Sequence, residues 1–359
     1  MDIVAATKSY ERWLGARTRL VPADLRLKHQ FMRDSVFPFL RATFYRWLQV
    51  WTEVCPQAAA APRVLAVGDL HIENFGTWRD LEGRLIWGIN DFDEVSHMPY
   101  TMDLVRLATS GLLAIDADHL VLKPRVIAEC IEEGYRDSIA AGGHPFVLSE
   151  RPAWLRRIAL HFTIEGPAFW EKLRTLPAVN PNLVPREARA KIERHMPEKG
   201  LKYGYARRGA GLGSRGHQRY VSVVNWHGGL IAREAKALVP AAAVWLRHHS
   251  RTGPMFYAEV LRKAVRVPDP HFHADGHWIV RRLSPTCRKI NMAELPQRRN
   301  EERLLYSMGA ETANVHLGTA RARSVIRRDL ARRPGKWLLD AAREMEKFVQ
   351  RDWKVWRKA

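Results

Sequence analysis

Long hydrophobic runs are missing from this chain of 359 residues. No apolar stretch reaches the length needed to span a bilayer, so no helical membrane span is expected. Cysteine is scarce: Cys55, Cys130 and Cys287 are far apart and odd in number, which gives no disulfide frame and no zinc spacing and fits a reducing compartment. The sequence shows no Gly-x-Ser-x-Gly elbow and no defensible Cys/His nucleophile pair. Met1-Asp2-Ile3-Val4 has no basic stretch leading into an apolar one, so the expected location is cytoplasmic. Internal repeats and low-complexity tracts are absent. Acid is also in short supply: 38 Asp plus Glu stand against 58 Lys plus Arg, a formal net charge of +20.

Such a field attracts polyanions: nucleic acid, nucleotide or a phosphorylated substrate. The alternative is a surface of merely solvated arginines. Positive charge is densest over residues 321–359, with 13 Lys plus Arg against 5 Asp plus Glu. Hydrophobic residues at 46% and charged residues at 27% are ordinary for a globular protein, and the length suggests two lobes or domains.

Against that basic background, two acidic segments stand out. Gly68-Asp69-Leu70-His71-Ile72-Glu73-Asn74 and Asn90-Asp91-Phe92-Asp93-Glu94 each follow a strand-like apolar run, at Arg63–Val67 and Arg84–Ile89. Asp and Asn also favour turns, so each segment alone could simply cap a strand. Together, an aspartate, an asparagine five residues on and a second aspartate pair form a layout for phosphoryl transfer: Asp69 takes a hydroxyl proton, and Asn74, Asp91 and Asp93 hold magnesium. His71 is expected to brace the loop through a hydrogen bond.

The first segment resembles the catalytic loop of aminoglycoside phosphotransferases and related small-molecule kinases, and Asn90-Asp91-Phe92-Asp93 resembles their metal-binding strand end. Met102-Asp103-Leu104-Val105-Arg106-Leu107-Ala108 is similar to the Asp-Leu-Ala helix start that follows in those enzymes. The chain as a whole more closely resembles a bacterial domain-of-unknown-function family, DUF2252. The resemblance rests on Phe39-Leu40-Arg41, Asn74-Phe75-Gly76, Gly211 to Tyr220, Arg233-Glu234-Ala235, Val280-Arg281-Arg282-Leu283 and Lys289, besides the acidic segments. It implies a kinase-like fold and no particular substrate.

Gly211-x-Gly213-x-x-Gly216 precedes a strand, not a helix, which argues against a dinucleotide-binding fold. A strand, the turn Trp226-His227-Gly228-Gly229 and a second strand follow, as after a kinase glycine-rich loop. Glycine there lets backbone N–H groups approach phosphate. Arg233, 22 residues beyond Gly211, lies where such an enzyme carries its phosphate-gripping lysine, although Arg grips as a fork where Lys is a point charge. Lys236 falls on the opposite strand face. The loop comes about 140 residues after Asp69, the reverse of the usual order.

The expected fold is therefore α+β: a two-lobed, kinase-like fold, circularly permuted. Residues 1–150 would form the helical-lobe core with its acidic loops, 151–201 a basic helical insertion or cap, 202–283 a β-rich nucleotide lobe, and 284–359 helices completing the helical lobe. The expected function is ATP- and Mg²⁺-dependent phosphotransfer to an unidentified small-molecule or protein acceptor. The alternative is a catalytically weak kinase-like scaffold, or a protein that binds nucleic acid through residues 151–200 and 321–359.

Overall fold

The computed structural model describes residues 1–116, 120–161, 166–209, 211–248, 253–287, 289–290 and 300–359. The aromatic-rich start is four helices, α1 (Ile3–Gly15), α2 (Pro22–Asp34), α3 (Val36–Ala42) and α4 (Phe44–Val54). Pro22 can open α2 because the N–H it lacks would be unbonded in a first turn anyway. Phe37, Phe39, Phe44, Tyr45, Trp47 and Trp51 are core, as their helical spacing predicts, whereas Phe31 stays at the surface beneath the Arg215 guanidinium. The expected linker at 57–62 is partly a short helix, α5 (Pro56–Ala59).

Next come β1 (Arg63–Ala66), β2 (Phe75–Arg79), β3 (Leu85–Ile89), β4 (Ser96–Pro99), α6 (Tyr100–Asp116), α7 (Pro124–Ala141) and β5 (Phe146–Val147). The strands β2 and β3 are the expected hairpin, turning over residues 80–84, and β5 adds to it; β1 instead pairs with β4. Then follow α8 (Ala153–His161), α9 (Gly166–Arg174), β6 (Ala178–Val179), α10 (Arg186–Arg194), β7 (Tyr205–Arg207), β8 (Arg219–Trp226) and β9 (Gly229–Ala237). The remainder is α11 (Ala242–His248), α12 (Tyr257–Lys263), β10 (Phe272–Asp275), β11 (Trp278–Leu283), α13 (Glu301–His316), α14 (Ala322–Leu330) and α15 (Trp337–Lys358). The sequence pattern also predicts a helix over 297–317, whose first residues lie outside the described ones. The architecture is thus mixed α and β, with antiparallel sheets throughout.

The largest sheet runs β10-β11-β9-β8-β7-β6. Its two faces follow the period-2 rule. On one face Tyr220, Val224, Ala235, Ala237, Trp278 and Val280 pack against Ala188 and Ile192 of α10, forming a small core separate from the main one. The helix α10, near the end of the segment 151–201, thus packs on this sheet. The other face carries Arg219, Glu234, Lys236 and Arg281 toward the helices. In the main core α6 is buried between α7 and α15, and α7 crosses α13 at closest range where Gly134 meets Tyr306 and Gly309 meets Ile131. An added Cβ on either glycine would overlap the facing backbone carbonyl.

Candidate functional site: an acidic cluster beneath a glycine-rich loop

The turn after β1 is shaped by Gly68, at φ +91°, where a Cβ would sit 2.5 Å from the Glu94 carbonyl oxygen. The loop that follows is held from below. An acid at such a helix start suits an N-cap, but α6 already begins at Tyr100, and the Asp103 carboxylate instead accepts the backbone N–H groups of Val67 at 2.6 Å and Gly68 at 2.9 Å. His316 of α13 bonds Asp103 at 2.9 Å, and its other ring nitrogen meets the Tyr135 hydroxyl of α7 at 2.8 Å. Three helices thus fix the position of two peptide groups, because a buried carboxylate must find donors for its lone pairs.

Asp69 has its Oδ1 held by the Arg106 guanidinium, through Nε at 2.9 Å and also through Nη2. Arg106 is fully buried between the rings of Phe44 and Trp47, and also donates to the Leu40 carbonyl at 2.8 Å. Burial pushes the Asp69 carboxyl above its ordinary pKa, and Arg106 only partly offsets this. The Asp69 Oδ2 faces Gly213, where a Cβ would come within 3.1 Å. His71 is buried, and burial followed by the Arg41 charge holds its pKa well below the ordinary value, so the ring is neutral. Its Nδ1 accepts the Glu73 N–H at 3.1 Å, inside the loop. Asn74 Oδ1 accepts the His71 N–H at 2.7 Å and keeps a second lone pair. Arg41 lines the same pocket and pairs with Glu73 at 2.5 Å.

At the end of β3, Asp91 and Asp93 share Lys236, which bonds Asp93 and lies 3.8 Å from an Asp91 oxygen. Burial raises both carboxyls, but Lys236 and Lys289 hold Asp91 down to about 2, while the neighbouring Asp91 charge drives Asp93 further up. One oxygen of Asp93 and the Asn90 Oδ1 are buried without a hydrogen-bond partner. Glu94 takes the Ala242 N–H at 2.6 Å and is pushed up to about 8 by burial.

One pocket is lined by Asp69, His71, Asn74, Asp91, Asp93, Gly211 and Gly213. Gly216 lies outside that lining; its positive φ turns the loop back against Leu25, and its carbonyl accepts the Val21 N–H at 2.9 Å. Lys28 of α2 ties the loop down by donating to the Gly213 carbonyl at 3.1 Å. Arg233 requires a correction: it does not reach the pocket. It sits on the α10 side of the sheet, donating to the His195 carbonyl at 2.8 Å and the Ala232 carbonyl at 3.1 Å. Lys236, on the opposite face, is the cation of this strand that meets Asp91 and Asp93. Sequence reasoning also missed Lys28 and the gripping role of Arg106. Lys28 carried no signal, whereas Arg106 lay within the quoted helix-start motif.

Residues 19–161 match the model of a family described as uncharacterized protein conserved in bacteria, DUF2252. No curated protein and no solved structure matches the chain. The matched stretch runs from α2 to α8, so it covers Asp69, Asn74, Asp91, Asp93 and Asp103 and supports the resemblance to DUF2252 there. It stops before the glycine-rich loop. No helix among the described residues is long and apolar enough to cross a membrane.

Proposed function

We propose that the chain is a nucleoside-triphosphate- and magnesium-dependent phosphotransferase with a circularly permuted, kinase-like arrangement. The observation that carries this reading is the meeting of Asp69, Asn74, Asp91 and Gly211–Gly213 around one pocket, although the glycine loop follows Asp69 by about 140 residues. Chance proximity of turn acids would not bring a glycine-rich loop onto the free oxygen of Asp69.

In this reading the acceptor hydroxyl oxygen attacks the γ-phosphorus. Its new bond to phosphorus forms as the bond to the bridging oxygen breaks, and that electron pair leaves with the nucleoside diphosphate. The hydroxyl proton passes to Asp69 Oδ2. Raised proton affinity suits Asp69 to this task, and Arg106 fixes its orientation through Oδ1. The backbone of Gly211–Gly213 covers the phosphates, and Lys236 supplies a positive charge beside them.

Magnesium fits the residues present. The oxygens near Asp91 are hard, and those of Asp93 and Asn90 include buried acceptors without a partner. Among the described residues no three His, Cys, Asp or Glu side chains are grouped to hold a metal. Magnesium at phosphoryl-transfer sites takes only one or two protein carboxylates together with substrate phosphates. Asp91 and Asp93 would hold it, with Asn74 beside them, and when bound it would neutralise charge on the phosphates.

A second reading, a nucleotide-binding scaffold with little turnover, is favoured by the grip of Arg106 on Asp69. One set of measurements separates the two. Mg–ATP at 100 times its dissociation constant should stabilise the fold by roughly 2.7 kcal/mol, visible as a rise in Tm. Asp91→Asn should abolish that rise, and Asp69→Asn should keep it while ending γ-phosphate transfer to water or an acceptor. If no nucleoside triphosphate raises Tm with magnesium, the phosphotransferase reading fails. A rise in wild type without any transfer leaves the scaffold.

A further inference from the structure

Beyond Asp91 the pocket opens into a chamber of about 530 Å³ between the large sheet and the helices. The two share Arg41, Asp91, Gly211 and Lys289, whereas Lys236, Arg266 and Arg282 line the chamber and not the pocket. Arg266 follows α12 and is flanked by the Trp78 ring at 4.7 Å and the Phe92 ring at 5.0 Å. Its Nη1 is buried with no hydrogen-bond partner. Arg282, on β11, donates through Nη2 to the Arg79 carbonyl at 3.3 Å, and its Nε is also buried without a partner.

Asp269 and Asp91 are the acids on the chamber lining. Asp269 lies close enough to act electrostatically on both arginines, yet it accepts the His271 N–H at 2.9 Å, and no guanidinium among the described residues hydrogen-bonds to it. Two guanidiniums, each with a buried nitrogen lacking a partner, therefore line a chamber large enough for a small molecule. Buried charged donors are costly to leave without an acceptor, and a guanidinium's planar fork matches the oxygens of carboxylate and phosphate. The aromatic rings of Trp78, Tyr257 and Phe272 on the same lining offer apolar cover for a carbon frame.

We propose that Arg266 and Arg282 form an oxyanion subsite for the phosphoryl acceptor, so that the acceptor is a small molecule carrying a carboxylate or phosphate ester in addition to its hydroxyl. The assignment rests on the phosphotransferase reading, in which Lys236 and the glycine loop take the nucleotide's phosphates beside Asp91. Lys236 lines the same chamber but is bonded to Asp93, whereas Arg266 and Arg282 stand at its β2 end against the Trp78 ring and the Arg79 carbonyl, which is why the anion they await is assigned to the acceptor.

Calorimetric titration of the full chain with inorganic phosphate, and separately with Mg–ATP, tests this. Wild type should bind phosphate, also when saturated with a non-hydrolysable Mg–ATP analogue. Arg266→Met and Arg282→Met should each weaken phosphate at least tenfold, and Arg266→Lys should recover part of the loss. The three variants should shift Mg–ATP affinity by less than about threefold. Arg282→Met decides the matter if loss of the stacked Arg266 prevents folding. Unchanged phosphate affinity in the variants would overturn the subsite. Parallel loss of phosphate and Mg–ATP would overturn the acceptor assignment and give the arginines to the nucleotide. If wild type does not bind Mg–ATP, the phosphotransferase reading fails and the acceptor role with it, while the phosphate titration still decides whether the oxyanion subsite exists.

Discussion

Replacing Gly134 or Gly309 by alanine should destabilise the protein, although both lie inside helices where alanine is ordinarily the better residue. Alanine outranks glycine in an exposed helix interior by about 1 kcal/mol. At these two positions the space is already taken. A Cβ on Gly134 would lie 2.7 Å from the Tyr306 carbonyl carbon and closer still to its oxygen; one on Gly309 would lie 2.9 Å from the Ile131 carbonyl carbon. The obstacle is helix backbone, which cannot rotate aside as a side chain would, so α7 and α13 must part. Overpacking of this kind costs about 1–3 kcal/mol or more, and parting the helices also opens contacts along their length. After subtracting the propensity gain, a net loss of roughly 2 kcal/mol per variant is expected, a drop in Tm of about 3 °C for a chain of this length. The double variant should lose less than the sum, because residues 131–134 and 306–309 meet at one crossing and the first alanine already opens it. Thermal and urea denaturation of the two singles and the double measure this. A single variant that melts at or above wild type would refute the packing argument, since propensity alone would then govern the site.

Arg233→Met should shift Mg–ATP affinity by less than about twofold, because its guanidinium is bonded to the His195 and Ala232 carbonyls, whereas Lys236→Met should weaken it at least tenfold; side-by-side calorimetry reads both, and a larger effect at Arg233 would reverse the correction made above. Burial pushes Glu94 up to about 8 and Glu311 to about 7, against an ordinary value of 4.5. Between pH 4.5 and 8 the folded chain therefore holds protons that the unfolded chain has released, and these two groups make stability fall as pH rises. Glu94→Gln should flatten the decline of Tm from pH 6 to 8, and an unchanged slope would count against the raised value.

Much of the frame could be read from the sequence where local chemistry decides it. The helix α7 begins at Pro124 and ends where Gly142 turns left-handed, the two residue types that open and close helices. The turn between β8 and β9 falls at His227 and Gly228, both at positive φ, as a two-residue hairpin demands. Short strands were not legible: β6, β7 and β10 are two to four residues long, too brief for alternation to register. At the site, the spacing of Asp69, Asn74 and Asp91 was visible, and so was the glycine loop. Strand parity separated Arg233 from Lys236 but could not say which face met the acids. The alternation of Ala235 and Ala237 with Glu234 and Lys236 held the answer, since the alanine face is the one α10 covers. Asp103 misled because an acid near a helix start suits a cap, and only the approach of Val67 and Gly68 reveals its other use.

The placement of α15 has a consequence for the order in which the protein can be built. The helix Trp337–Lys358 lies against α6, where Ala342 accepts the Thr109 hydroxyl at 3.2 Å, and reaches α2 and α4 through Trp353 to the Met32 carbonyl and Asp352 to Arg46. The contact of Thr109 with Ala342 joins residues 233 apart in sequence, so the side of α6 that α15 covers is closed only after the segments between them have been made. The helix α7, next in the chain, can cover α6 on its other side first, so this part of the core closes in two steps, a contact near in sequence and then a distant one.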